Sequence, residues 1–433
     1  MATLRRVYVR SALFSLLLLG MGGAWAENTP VTFTAAERKA ILALSPVPAT
    51  AKDTTNAVVD NSKAILLGQL LFFDPRLSGD GRFSCSSCHD RNKGWSDGKQ
   101  VAEAVAVGTR NTPSLWNVAQ NRWFFWDGRA DSLWSQALKP IENEIEQNSS
   151  RLQVAHHVTS DPALKEMYAQ VFGPAPDLSD LKRFPSVGSP VSTDELRQQN
   201  WWQMDPNDQH TVNQVYANVG KTIAAFETTI KSGEAPFDRF VKDLRAAKPQ
   251  SQAISLSAQR GLKIFIGKGD CVLCHSGPNF TNKDFHDIRV PPLDASAPPD
   301  EGRNHGLEHM SEDEFIAAGP YSDDPQGARA QMLYFLDGQG GGIGHFKTPS
   351  LRNVATTAPY MHAGQMKTLR DAVSYYSTLK DAVAPADPKH VETLIRPLNL
   401  TEEEIDDVVA FLESLTSDPL PELSVSTADV AVK

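Results

Sequence analysis

Cys85-Ser86-Ser87-Cys88-His89 and Cys271-Val272-Leu273-Cys274-His275 are two copies of one pentapeptide, and together they use all 4 cysteines of the chain. C-x-x-C-H is the attachment signature of a c-type haem, with two thioethers to the vinyl groups and the histidine as proximal iron ligand. The pattern assigns two covalent haems, one on Cys85, Cys88 and His89, the other on Cys271, Cys274 and His275. Two other chemistries use C-x-x-C. A redox disulfide would leave both trailing histidines without a purpose. A tetrahedral zinc site would need a second ligand pair that neither pentapeptide has within loop reach.

Outward from these motifs the halves repeat further. Asn111-Thr-Pro-Ser-Leu-Trp-Asn-Val118 matches Lys347-Thr-Pro-Ser-Leu-Arg-Asn-Val354 at six of eight positions. Eight residues past each valine stand Trp126-Asp127-Gly128 and His362-Ala363-Gly364. From His89 to Thr112 is 23 residues and from His275 to Thr348 is 73, so the second copy carries about fifty extra residues, roughly 291–344. Their Pro, Gly and Asp content predicts a loop or lid. Elsewhere the pattern is helical. Thr34-Ala-Ala-Glu37 and Thr401-Glu-Glu-Glu404 read as capping boxes. Residues 212–244 read as a long amphipathic stretch broken near 233–236, and Ser257 as the cap of a helix through Leu262 and Phe265. No run of alternating strands occurs. The expected class is all-α, with two cytochrome c-type haem domains related by internal duplication, 27–250 and 251–418, and a disordered tail over 419–433.

Residues 1–26 read as a secretory signal: Arg5, Arg6 and Arg10, then an apolar 13–19, then Ala24-Trp25-Ala26 as the small-x-small cleavage site. That apolar core is too short to span a bilayer. The expectation is a periplasmic protein, not integral to the membrane once the signal is cleaved. Cleavage removes three arginines and no acids, taking the formal charge from −10 to −13, and haem propionates add to it. Such a surface argues against nucleic acid as a partner and for a neutral or basic protein surface.

Three further stretches are distinctive together: Leu71-Phe-Phe-Asp-Pro-Arg-Leu-Ser-Gly-Asp-Gly81, Phe124-Phe-Trp-Asp-Gly-Arg-Ala130 and Thr357-Ala-Pro-Tyr-Met-His362. With the two motifs, the chain resembles the bacterial di-haem cytochrome c peroxidase family, and its MauG-like branch in particular, over roughly 64–415. The resemblance implies a peroxide-reacting haem in the first half and an electron-relaying haem in the second. In that family a histidine after the first motif caps the first iron until reduction releases it. Here no histidine lies between His89 and His156, and the matching position is Glu103. The resemblance therefore implies an open first iron.

For the second iron, residue types alone nominate Met361, Met366 or His362. The resemblance places the family's methionine ligand at Tyr376, a tyrosine as in MauG-like proteins, with Tyr375 the rival if the register slips by one. Pro140 is the repeat counterpart of Tyr376 and cannot ligate. A phenolate favours higher iron oxidation states where a methionine raises the potential. Glu146 matches the family's acid–base glutamate, with Glu142 and Glu144 as rivals expected to be solvated, and Gln147 departs from the family's methionine. Gln136 matches a pocket glutamine, and Trp126 the tryptophan between the haems. A calcium ion is implied at the Asn111 side chain and the Thr357 and Pro359 carbonyls, oxygen ligands that suit it. Where MauG has a surface tryptophan near its second motif this chain has Gly269, leaving Trp201 and Trp202 as conceivable exits.

The expected activity is a periplasmic di-haem c-type peroxidase or oxidase using hydrogen peroxide, with the second, Tyr-ligated haem storing or relaying oxidising equivalents. The partner would be a protein substrate, or a small donor cytochrome or cupredoxin. The alternative is a cytochrome c peroxidase driven by a donor cytochrome. A plain di-haem electron carrier would not need Glu146 beside an uncapped iron.

Overall fold

A computed structural model describes residues 30–421, apart from 249, 337–341 and 389–390. The expected signal over 1–26, and the tail beyond 421, lie outside the described residues. The fold is helix-rich. Among the described residues the only sheet is an antiparallel pair, Phe285–His286 with Phe346–Lys347. No described helix is long and apolar enough to cross a membrane.

One arrangement recurs around each haem motif. Asn61 caps the helix Ser62–Phe73, which crosses the long helix Pro206–Glu227. Ser255 caps the helix Leu256–Ile266, which crosses Glu402–Glu413. A glycine sits at each crossing. A Cβ on Gly68 would lie 1.8 Å from the Thr222 carbonyl oxygen, and one on Gly261 would lie 1.8 Å from that of Asp407. Only a hydrogen lets the backbones approach so closely. Around the first crossing packs a core with Leu71, Phe72, Trp134, Tyr216 and Phe226. Around the second, Phe237, Phe265, Phe280 and Phe411 pack edge to face or tilted at 5.1–6.2 Å between centroids. Ile41 and Leu44 belong to this second core.

Both capping boxes form as the sequence suggested. Other expectations change. Ser257 does not cap its helix: it donates to Asp407 (2.6 Å), and the cap falls to Ser255, whose side chain accepts from the Ala258 amide. The 212–244 stretch is broken as expected, into the helices Pro206–Glu227 and Pro236–Arg245, but it begins earlier than expected. The first starts early because Asp205 caps it and Pro206 suits its first turn. Of the two readings of the extra 291–344 segment, loop or lid, the described residues favour the second, for it includes the helix Arg303–Ser311 and straps back over the first half. Its acids find cations there: Asp300 with Arg110 (2.7 Å), Glu314 with Arg151 (2.6 Å) and Asp323 with Lys221 (2.7 Å). Phe315 and Tyr321 enter the first core.

Replacing Gly261 by alanine forces the two helices apart and is expected to destabilise the protein by about 1–3 kcal/mol, the usual cost of overpacking. A thermal unfolding midpoint equal to that of the wild type contradicts so close a crossing.

Candidate active site

Each proximal histidine is aimed by its own backbone. Ser84 begins the single helical turn Cys85–Cys88, and the chain then folds back through Gly94 and Trp95, both at positive φ. His89 Nδ1–H donates to the Trp95 carbonyl (3.0 Å). His275 Nδ1–H donates to the Phe280 carbonyl (3.0 Å) in the matching loop. A carbonyl can only accept, so Nδ1 carries the proton and Nε2 keeps its lone pair for a metal. Burial holds His275 down to about 4 and lowers His89 as well, which keeps both rings neutral. Burial also pushes the Cys85 and Cys271 thiols up to about 12.

Both motifs open on one cavity of about 2780 Å³, a volume that includes open solvent. Its walls carry Cys88 and His89 from one motif, and Cys271, Cys274 and His275 from the other. Among the described residues, three buried polar atoms on those walls have no protein partner: Trp116 Nε1, Gln136 Oε1 and His362 Nδ1. Bare buried donors and acceptors of this kind call for a polar occupant. Paired thiols, neutral imidazoles and an apolar cavity spanning both motifs fit two covalent haems. Among the described residues no cluster of three or more His, Cys, Asp or Glu side chains is placed to hold a metal ion, so a Cys/His zinc site has no support.

On the first wall, Ser132 caps the helix Leu133–Glu142, which presents Gln136 and Pro140 to the cavity. Glu146 follows in the next turn and lines the same wall, its carboxylate accepting from Asn143 Nδ2 (2.6 Å). Burial raises its pKa against the pull of Arg129 and of that hydrogen bond. Arg129 also lines the cavity, over the Phe125 ring at 3.6 Å and held by Asp127 (3.0 Å). The rival carboxylates are elsewhere. Glu142, expected to be solvated, is buried and paired with Arg151 (2.9 Å). Glu144, also expected to be solvated, accepts from Ser192 Oγ and from the Thr193 amide and hydroxyl, which hold it below the usual carboxylate range. Glu103 pairs with Lys99 at the surface (2.7 Å).

On the second wall, the helix Leu369–Thr378 turns Tyr376 into the cavity. Burial raises its phenol well above the ordinary value. Tyr375 points away, its hydroxyl donating to the Ile288 carbonyl (2.7 Å). Met361 and His362 line the cavity and Met366 does not. Between the walls, Trp126 Nε1–H donates to the Asn111 carbonyl (2.9 Å), and the Asn111 amide donates to the His362 carbonyl (2.8 Å). Asn111, Thr357 and Pro359 share this lining. Trp201 packs under Arg151 and Trp202 is 65% exposed, and neither lines the cavity. Among the lining cations that were not singled out from the sequence are Arg129 and Lys347. The one available signal for Lys347 was its mismatch with Asn111 in an otherwise matching repeat.

Comparison with known proteins follows the same line. A family model described as di-haem cytochrome c peroxidase matches residues 62–246. Methylamine utilization protein MauG of Methylorubrum extorquens is 32% identical over 367 residues, 83% of this chain and 81% of that protein. Cytochrome c551 peroxidase of Pseudomonas aeruginosa is 30% identical over 359 residues, 81% of this chain and 78% of its own length. The crystal structure of the diheme peroxidase BthA from Burkholderia thailandensis superposes with a TM-score of 0.60 at 22% identity, covering 86% of this chain and 89% of that one, a likeness of fold.

Tyr375→Phe removes only the bond to Ile288 and is expected to cost about 1 kcal/mol of stability while leaving the visible spectrum of the holoprotein as it was. A changed spectrum would mean that Tyr375, rather than Tyr376, reaches the cavity's occupant.

Proposed function

The chain belongs to the di-haem cytochrome c peroxidase family, an enzyme family that includes MauG, and on that premise we propose that it is a MauG-like, peroxide-dependent oxidase exported to the periplasm. Each half, 27–250 and 251–418, would carry one haem on a duplicated frame. Haem iron, when bound, supplies the cleavage of peroxide and the storage of the oxidising equivalents that result. His89 and His275 offer Nε2 as proximal ligands. The observation that carries the reading is the unequal lining of one cavity: Pro140, Gln136 and Glu146 on the first wall, Tyr376 on the second.

In this reading Glu146 takes a proton from the nearer peroxide oxygen and returns it to the leaving hydroxide, general acid–base work for which a buried carboxylate suits. Asn143 holds that carboxylate in place, and Arg129 keeps its charged form accessible. Gln136, with a bare buried oxygen, orients the substrate's hydroxyl. Burial opposes a free phenolate, so Tyr376 would lose its phenolic proton only where a cation beside it compensates the charge, and it would be the residue that ligates the second iron. Trp126, hydrogen-bonded to one half and accepting from the other, is the station between the two sites. Asn111, Thr357 and Pro359 would hold a calcium ion in the same region. The oxidising equivalents pass to a protein substrate. A small donor cytochrome or cupredoxin would take that place if the chain works as a cytochrome c peroxidase, the activity named for its Pseudomonas relative.

Glu146→Gln should keep both haems and slow the reaction with peroxide by about 10²–10⁴-fold. Because Glu146 acts as a base and its pKa is raised, the wild-type rate should fall as pH drops through a value above the ordinary carboxylate range, and the variant should lose that inflection. Unchanged kinetics remove Glu146 from the mechanism. Tyr376→Met should shorten the lifetime of the oxidised state formed when resting enzyme meets peroxide in stopped flow. A wild type inert until half-reduced favours the donor-driven peroxidase instead.

A further inference from the structure

Lys347 stands where the first half has Asn111. Both residues open the matching octapeptides and both line the cavity, but only one carries a charge. Asn111 is accounted for, its Nδ2 donating to the Lys99 carbonyl (2.8 Å). Lys347 is not. Its backbone is fixed by the strand pair with Phe285–His286 and by its amide, which donates to the Trp126 carbonyl (2.8 Å). It lines the cavity with no carboxylate in ion-pair range among the described residues, and burial alone pushes its ammonium down to about 8. A charge removed from water without a partner is costly, so the fold keeps this one for an anionic occupant.

The site's own cofactor supplies such an anion in its propionates. The Lys347 backbone is anchored to the second half: the next residue, Thr348, donates its amide to the Asp284 carbonyl (2.9 Å) and accepts from Thr281 Oγ1 (2.7 Å), just past His275. Thr348, Pro349 and Ser350 continue the same wall. We propose that Lys347 is the counter-cation for a propionate of the haem held by Cys271, Cys274 and His275, and that its charge sets that haem's potential apart from its neighbour's. The proposal rests on the second haem of the proposed function. A cation beside a haem disfavours the more positive oxidised iron, so Lys347 opposes the pull of an anionic tyrosine ligand and keeps the second site reducible.

The test is potentiometric titration of the full-length holoprotein, followed by the spectra of the two haems, in wild type, Lys347→Gln and Lys347→Arg. With Lys347→Gln the second haem's midpoint should fall, raising its oxidised-to-reduced ratio at fixed potential about tenfold, or about 59 mV for one electron. Lys347→Arg should restore most of it, and the first haem should move little. An unchanged midpoint in Lys347→Gln overturns the proposal. So does an equal shift in Lys347→Arg, or a shift confined to the first haem. Resting ferric spectra of the same samples report the second iron's axial ligand independently, so failure of tyrosine ligation is seen separately from failure of the Lys347 pairing.

Discussion

Three hydrogen bonds around Trp126 hold the two halves of this protein in register: the Lys347 amide to the Trp126 carbonyl, the indole to the Asn111 carbonyl, and the Asn111 amide to the His362 carbonyl. The residues that make them are buried or partly buried, and where water is excluded a lost partner costs more than the net worth of the bond. They make one continuous cavity out of two separate motifs. The strap over 291–344 reinforces the same place, because Arg110 bridges Asp127 and Asp300, and Arg303 donates to the Asp127 and Gly128 carbonyls. Anything that passes between the two sites crosses this seam.

On that common frame the two sites are made unequal by single side chains. Pro140 stands fourteen residues past Trp126 and Tyr376 fourteen past His362. Asn111 and Lys347 are likewise counterparts. A ring without a donor atom in place of a phenol, and an amide in place of an ammonium, change what each site does to charge without disturbing the helices beneath. None of these four side chains lies on the helices that cross at Gly68 and Gly261.

The haem motifs, the helical class and both capping boxes were legible in the sequence because each depends on neighbours within a few residues. The register of Tyr376 came from the family resemblance, with the repeat as support, since periodicity cannot separate it from Tyr375. What decides between them is a partner far away in sequence, the Ile288 carbonyl. Glu142 misled for the same reason. It looks like a surface carboxylate in an acidic run until Arg151 folds onto it, bringing Glu314 from the strap. The strap itself read as loop or lid because its Pro-, Gly- and Asp-rich composition is that of turns, whereas its order comes from cations on the other half of the chain. Lys347 was visible as a mismatch, but its lack of a counter-ion among the described residues exists only in three dimensions.

The central claim is that one iron is left open beside Glu146 while the other is closed by Tyr376. Electron paramagnetic resonance of the resting, fully oxidised protein tests this most directly. The account predicts one high-spin ferric signal from the first site and one low-spin signal from the second, with the second lost or altered in Tyr376→Phe. Two low-spin signals in the wild type, or a second-site signal indifferent to Tyr376, would contradict it.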